Sequence, residues 1–145
     1  MDIIFKIGLE NMNFDRVAQW LSGVYWSPGI TRAEVVYGAD HSTLVVGGFT
    51  QTDEQVSYLR VISDRVRFAY ILDVVVAPSH RGHGIGKKMM LFTMEHPHLQ
   101  YVYQWVLRTR EAQEFYVQLG FKRVEGSDQW MSIQKPRPDR RDFLA

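Results

Sequence analysis

The run Val74-Val75-Val76-Ala77-Pro78-Ser79-His80-Arg81-Gly82-His83-Gly84-Ile85-Gly86-Lys87 gathers the groups best placed to do chemistry. An apolar stretch enters a glycine-rich turn and then a helical pattern. Unpaired backbone N–H groups and the positive end of a helix dipole would therefore meet at one spot, which suits a phosphate. Charge-assisted hydrogen bonds of about 1.5–3 kcal/mol each outweigh the roughly 0.3–1 kcal/mol of the dipole at an exposed site, so the donors matter most. A P-loop is excluded, because Lys87 is followed by Lys88 where magnesium needs Ser or Thr, and the four-residue gap between glycines is missing. A dinucleotide fingerprint is disfavoured as well: Gly82, Gly84 and Gly86 are evenly spaced, and the region around Val102 is apolar where an acid is required. His80 and His83 flank the turn and His96 and His98 flank Pro97, which is not ligand spacing, so no metal is expected.

What the segment does match is R-x-x-G-x-G after V-x-V-x-P, and so it resembles the acyl-CoA pyrophosphate loop of the GNAT-type N-acetyltransferases. A second stretch, Ala112-Gln113-Glu114-Phe115-Tyr116-Val117-Gln118-Leu119-Gly120-Phe121, resembles the family's A-x-x-x-Y-x-x-x-G-F helix. Two motifs in the right order are far more specific than either alone. The resemblance implies acetyl-CoA as cosubstrate, held by Val74, Val76, Arg81, Gly82, His83, Gly84, Ile85 and Gly86, with the Val74 N–H aimed at the thioester carbonyl. It implies Tyr116 as the acid that protonates the departing thiolate, and Tyr25 and Trp26, in a loop containing Gly and Pro, as acceptor-binding residues. Where many members carry an Asn that touches the pantetheine arm, this chain has Thr109. Family members take the base from either central strand. The later strand offers only Gln104, so Asp73 is the candidate base, alongside a structural alternative in which it pairs with Arg60 or Arg67.

These residues need elements to position them. Phe14, Val17, Ala18 and Leu21 recur at helical spacing behind Asn13, a good N-cap, and Thr31 with Glu34 forms a capping box for a second, short helix. Residues 42–50 and 55–63 read as a hairpin. Residues 68–76, apolar except chiefly for Asp73, read as the central strand, covered on both faces. A helix with Ile85, Met89 and Phe92 on its buried face, a strand over 103–107, a helix over 111–119 capped by Gly120, and a closing pair of strands over 121–134 follow. The fold class expected is α/β (α+β), a GNAT fold with a mixed central sheet of about six to seven strands and about four helices. It occupies residues 1–134, with a Pro-containing charged tail over 135–145.

The chain has 145 residues, 46% hydrophobic and 23% charged, as expected of an ordinary folded domain. A net charge of +1 supplies little attraction for nucleic acid or anionic lipid, and Arg137, Arg140 and Arg141 are too few and too terminal to change that. No apolar run could span a bilayer and no signal-peptide layout opens the chain, so a cytoplasmic protein is expected. Without cysteine, no thiol acyl-enzyme can form. The function expected is transfer of an acetyl group to a primary amine by direct attack in a ternary complex. The alternative is a non-catalytic acyl-CoA-binding sensor or interaction module. The partners implied are a small-molecule or peptide amine acceptor, no nucleic acid and no membrane, with a homodimer left open.

Overall fold

The structure, a computed structural model, describes residues 2–138. Of the tail expected over 135–145, the part after Pro138 lies outside the described residues. The chain divides into two compact units, one through Arg108 and one from Thr109.

The first unit holds a five-stranded sheet in the order β1-β2-β3-β4-β5. Its strands are β1 (Ile4–Ile7), β2 (Leu44–Phe49), β3 (Gln55–Ser63), β4 (Phe68–Val76) and β5 (Gln104–Val106). β1 to β4 pair antiparallel in sequence order, and β5 joins β4 in parallel, giving a mixed sheet. Helices α1 (Phe14–Ser22) and α2 (Arg32–Asp40) follow β1, and α3 (Ile85–Met94) lies between β4 and β5.

The helix signals act as their chemistry requires. Asn13 accepts the Arg16 N–H at the start of α1, and Thr31 and Glu34 complete a reciprocal capping box on α2. Phe14, Val17, Ala18 and Leu21 are all buried, packed with Val35 and Ala39 of α2 against Val45, Phe49, Tyr58 and Val75 of the sheet. A smaller cluster sets Ile85 of α3 against Val56 and Ala77. On α3, Met90 and Thr93 are buried with Ile85 and Met89, while Phe92 is only partly covered and packs on Phe5.

Two expectations are corrected. β4 has the predicted bounds but is the fourth of the five strands, and three of its nine residues are buried; β3 is the middle strand, and β2 beside it is buried at every position. The closing strands over 121–134 are absent among the described residues, so the sheet has five strands, not six to seven. A short 3-10 turn, Ser127–Gln129, follows Gly126, which has a positive φ of 65°. Val124, Trp130, Met131 and Ile133 are exposed. An isolated hairpin is marginal in water, and this segment buries too little to hold one.

The second unit contains α4 (Gln113–Val117), shorter than the 111–119 expected. Its end is a Schellman motif: the Gly120 N–H reaches Val117 O at 3.0 Å and the Phe121 N–H reaches Tyr116 O at 3.1 Å. Gly120 provides the φ of 97° that this ending requires.

Candidate active site

The site in the first unit is built on the free edge of β4. β5 pairs with β4 only at Phe68, Ala69 and Tyr70, whereas β4 continues against β3 to Val76. Among the described residues, positions 71–76 therefore have no strand on the β5 side. The Ala77 N–H crosses to Val56 O on β3 at 2.8 Å. Strand alternation then turns the backbone groups of Val76, and of Val74 before it, toward the unpaired edge.

A β-bulge sets that edge. The β3–β4 register shifts between Tyr58↔Val75 and Arg60↔Leu72, leaving Asp73 and Val74 opposite the single residue Leu59. Asp73 takes the left-handed conformation there, with φ 57°.

Beyond Val76, Pro78–His80 makes a 3-10 turn and the chain reaches α3 through Gly82 (φ 81°) and Gly84 (φ 76°). A Cβ built on either glycine meets no atom within 4 Å, so the loop leaves an open cradle. Gly84 is the N-cap of α3 and offers no side chain. The Lys88 N–H to Gly84 O bond, 3.1 Å, is the first of the helix, so the amides of Ile85, Gly86 and Lys87 precede the intrahelical ladder. Arg81 Nε donates to Val76 O at 3.2 Å, which ties the loop cation to the free edge of β4. His83 is exposed, whereas the Ile85 side chain is buried, so only its amide can serve a ligand.

At the bulge, Asp73 Oδ2 accepts from Arg60 Nε at 2.7 Å, in an ion pair whose side chains are only 13% and 20% exposed. Asp73 Oδ1 accepts from Trp26 Nε1 at 3.3 Å. Tyr25 stands edge-on to Trp26, with ring centroids 5.0 Å apart. The structure thus brings a candidate acceptor-binding residue onto the candidate base, and of the two arginines weighed as partners it places Arg60 there. Arg67 instead donates to Tyr103 Oη. Sequence reasoning missed Tyr58. It is fully buried, its hydroxyl has no hydrogen-bond partner among the described residues, and burial followed by the Asp73 charge pushes its phenol well above the usual value. In sequence it looked like any aromatic on an alternating strand.

Thr109 and Tyr116 belong to the second unit. Thr109 Oγ1 accepts the Ala112 N–H at 3.0 Å, a turn bond ahead of α4. Tyr116 is buried, with its ring edge-on to Phe115 and Phe121 at 4.9 and 5.9 Å. His96 Nδ1 faces the His98 N–H at 3.1 Å, and among the described residues no group of three or more His, Asp or Glu could hold a metal ion. No helix among them is long and apolar enough to cross a membrane.

Known proteins share this fold. A crystal structure from Xanthomonas campestris pv. campestris, of a candidate acetyltransferase belonging to the GNAT family, is 34% identical with a TM-score of 0.86, over 94% of this chain and 95% of that one. A candidate acetyltransferase from Deinococcus radiodurans R1, 23% identical with a TM-score of 0.71 over 92% of this chain and 89% of its own, shares the fold. Among curated proteins, a candidate acetyltransferase of Gibberella zeae is 38% identical over 73 residues, 48% of this chain and only 40% of that relative's length. The family model for the acetyltransferase (GNAT) domain matches residues 33–123, from α2 through the cradle and α4. With a family match over more than half its length and a relative aligned almost end to end, the chain belongs to the GNAT acetyltransferase family.

Proposed function

We propose that the protein transfers an acetyl group from acetyl-CoA to a primary amine by direct attack within a ternary complex. The observation that carries this reading is the continuity of β4 with α3. An unpaired strand edge leads directly into a cradle where two positive-φ glycines leave open space below the free amides of a helix start. The residues present fit a pyrophosphate: Ile85, Gly86 and Lys87 offer amides, Arg81 adds a cation, and no side chain fills the space.

The thioester supplies an activated acyl carbon, and the negative charge that develops on its oxygen as the amine adds is met by the Val74 N–H. Val76 lines the same edge. Tyr116 delivers a proton to the sulfur as it leaves, and Tyr25 and Trp26 bound the acceptor. An alkylammonium of pKa about 10.4 loses its proton at a cost of about 4–5 kcal/mol at pH 7. That proton leaves through Asp73 or through water, which the variants below tell apart.

The experiment is CoA release from acetyl-CoA measured across a panel of small amines, amino acids and peptides. Turnover on at least one primary amine, with the acetyl group found on nitrogen by mass spectrometry, is the expected result. Tight acetyl-CoA binding with no turnover on any acceptor would assign the cradle to a sensor.

A further inference from the structure

We infer that the Arg60–Asp73 ion pair is a lock on the β4 bulge: it holds the backbone angle that sets where the Val74 N–H points, and Arg60 is a positioning residue. Three non-glycine residues have positive φ among the described ones. Asp53 and Arg65 sit in the turns of the two hairpins, where such angles are ordinary, whereas Asp73 adopts 57° inside a strand. Asp enters this region more readily than most residues with a Cβ, but within a strand the angle is still a strained one that persists where the surroundings hold it.

The surroundings supply that hold from three elements. Arg60, opposite Leu72 just before the bulge, takes Oδ2 from the neighbouring strand at 2.7 Å. Trp26, from the loop between α1 and α2, takes Oδ1 at 3.3 Å. The guanidinium is itself anchored, because Arg60 Nη1 reaches Ser42 Oγ at 3.4 Å and Ser42 Oγ donates to Gly38 O of α2 at 2.7 Å. Each carboxylate oxygen is thus already engaged, and the pair lies mostly out of solvent beside the buried Tyr58. This suits holding a backbone better than cycling a proton. The residue after Asp73 is Val74, so the lock acts on the amide assigned to the developing oxyanion.

Side-chain chemistry and backbone freedom separate on substitution. Asp73→Gly removes the carboxylate but reaches a φ of 57° without strain, while Asp73→Ala removes the carboxylate and keeps the penalty. Arg60→Met removes the lock from the other side, and Arg60→Lys restores a charge. The experiment measures kcat, KM for acetyl-CoA and the pH profile of these full-length variants, together with the Val74 amide resonance in the ligand-free protein, read through its N–H residual dipolar coupling, which reports the orientation of the bond rather than the type of the neighbouring residue. The lock requires Asp73→Gly to keep the Val74 N–H coupling nearer its wild-type value than Asp73→Ala does, retain the acidic limb of the profile, and turn over about tenfold faster than Asp73→Ala. Arg60→Met should shift the coupling and lower kcat by about tenfold with little change in KM for acetyl-CoA, and Arg60→Lys should recover part of that loss. Asp73→Gly as slow as Asp73→Ala, with the acidic limb gone, would make Asp73 the base and overturn the lock. So would an Arg60→Met protein whose Val74 coupling does not move. If Asp73→Ala does not fold, Asp73→Gly and Arg60→Met decide on coupling and pH profile alone. The kinetic arm rests on the acetyl-transfer reading and the coupling arm does not, so a wild type without turnover on any amine removes that reading while the lock is still judged.

Discussion

Tyr116 separates chemistry from packing with the loss of one oxygen. Its ring is buried edge-on to Phe115 and Phe121, contacts that Tyr116→Phe preserves, and helix propensity barely changes. A phenol of pKa about 10 donating to a thiolate of about 8.5 works uphill by about 2 kcal/mol, yet it avoids a bare anion in a poorly solvated site. If Tyr116 is that donor, Tyr116→Phe lowers kcat by about 10²–10⁴-fold while the calorimetric Kd for acetyl-CoA stays nearly constant. Full turnover in the variant would remove Tyr116 from the mechanism. At this scale the sequence disclosed types better than geometry. Asp73 stood out as a charge in an apolar run and Arg60 as one of two partners, both readable from composition along a strand. Its contact with Trp26, 47 positions away, the left-handed φ, and the lone hydroxyl of Tyr58 depend on packing and register, which local pattern does not encode.

Elements whose signals are local were legible, and those that depend on a distant partner were not. The Asn13 and Thr31 caps act within one helical turn, so the starts of α1 and α2 could be read directly. The 121–134 segment is expected to close the sheet with two strands, but a strand is held in a sheet only when one of its faces is buried, and Val124, Trp130, Met131 and Ile133 are exposed. The cradle yields a prediction at this scale. Because a Cβ at Gly84 meets no protein atom within 4 Å, a substitution there strains only the positive φ and whatever ligand occupies the space. Gly84→Asn, which tolerates this conformation, and Gly84→Val should both fold, with unfolding free energies from melting curves separated by roughly the 1–2 kcal/mol cost of a left-handed residue. Both should weaken acetyl-CoA binding by calorimetry, Val more than Asn, and unchanged affinity in both would make the turn merely structural. The β3–β4 turn gives a second prediction. Asp64 Oδ1 accepts the N–H groups of Val66, Arg67 and Phe68, and these bonds, that from Arg67 foremost, hold its carboxyl below the usual value. A depressed folded pKa means that the unfolded chain takes the proton first. The stability Asp64 contributes is therefore whole above the unfolded value of about 3.9 and disappears as pH falls through the lower folded value. Melting curves of wild type and Asp64→Ala should differ by a constant amount above about pH 5 and converge below pH 4. A gap that persists into strong acid would mean that the side chain acts by packing.

For the whole molecule, the question is whether ligand binding and folding are one equilibrium. Any ligand that binds only the folded chain raises its stability by mass action, by about 2.7 kcal/mol at one hundred times Kd. The net charge of +1 provides no general attraction for a polyanion, so affinity for the acyl donor must come from the local donors at the cradle: the free amides of α3 and the Arg81 guanidinium. Those donors belong to the protein, and none of them is a metal ligand. Acetyl-CoA and CoA should therefore both raise the melting temperature of the full chain by several degrees, with the same shift in the presence and absence of a chelator. Arg81→Ala should reduce the shift for both ligands equally, because it acts on the phosphate end that they share, whereas Tyr116→Phe should leave it unchanged. A melting temperature that does not respond to saturating acetyl-CoA would remove the cosubstrate and the cradle assignment together. A shift abolished by the chelator would place a metal between the phosphates and the loop, and Arg81 would no longer account for the affinity.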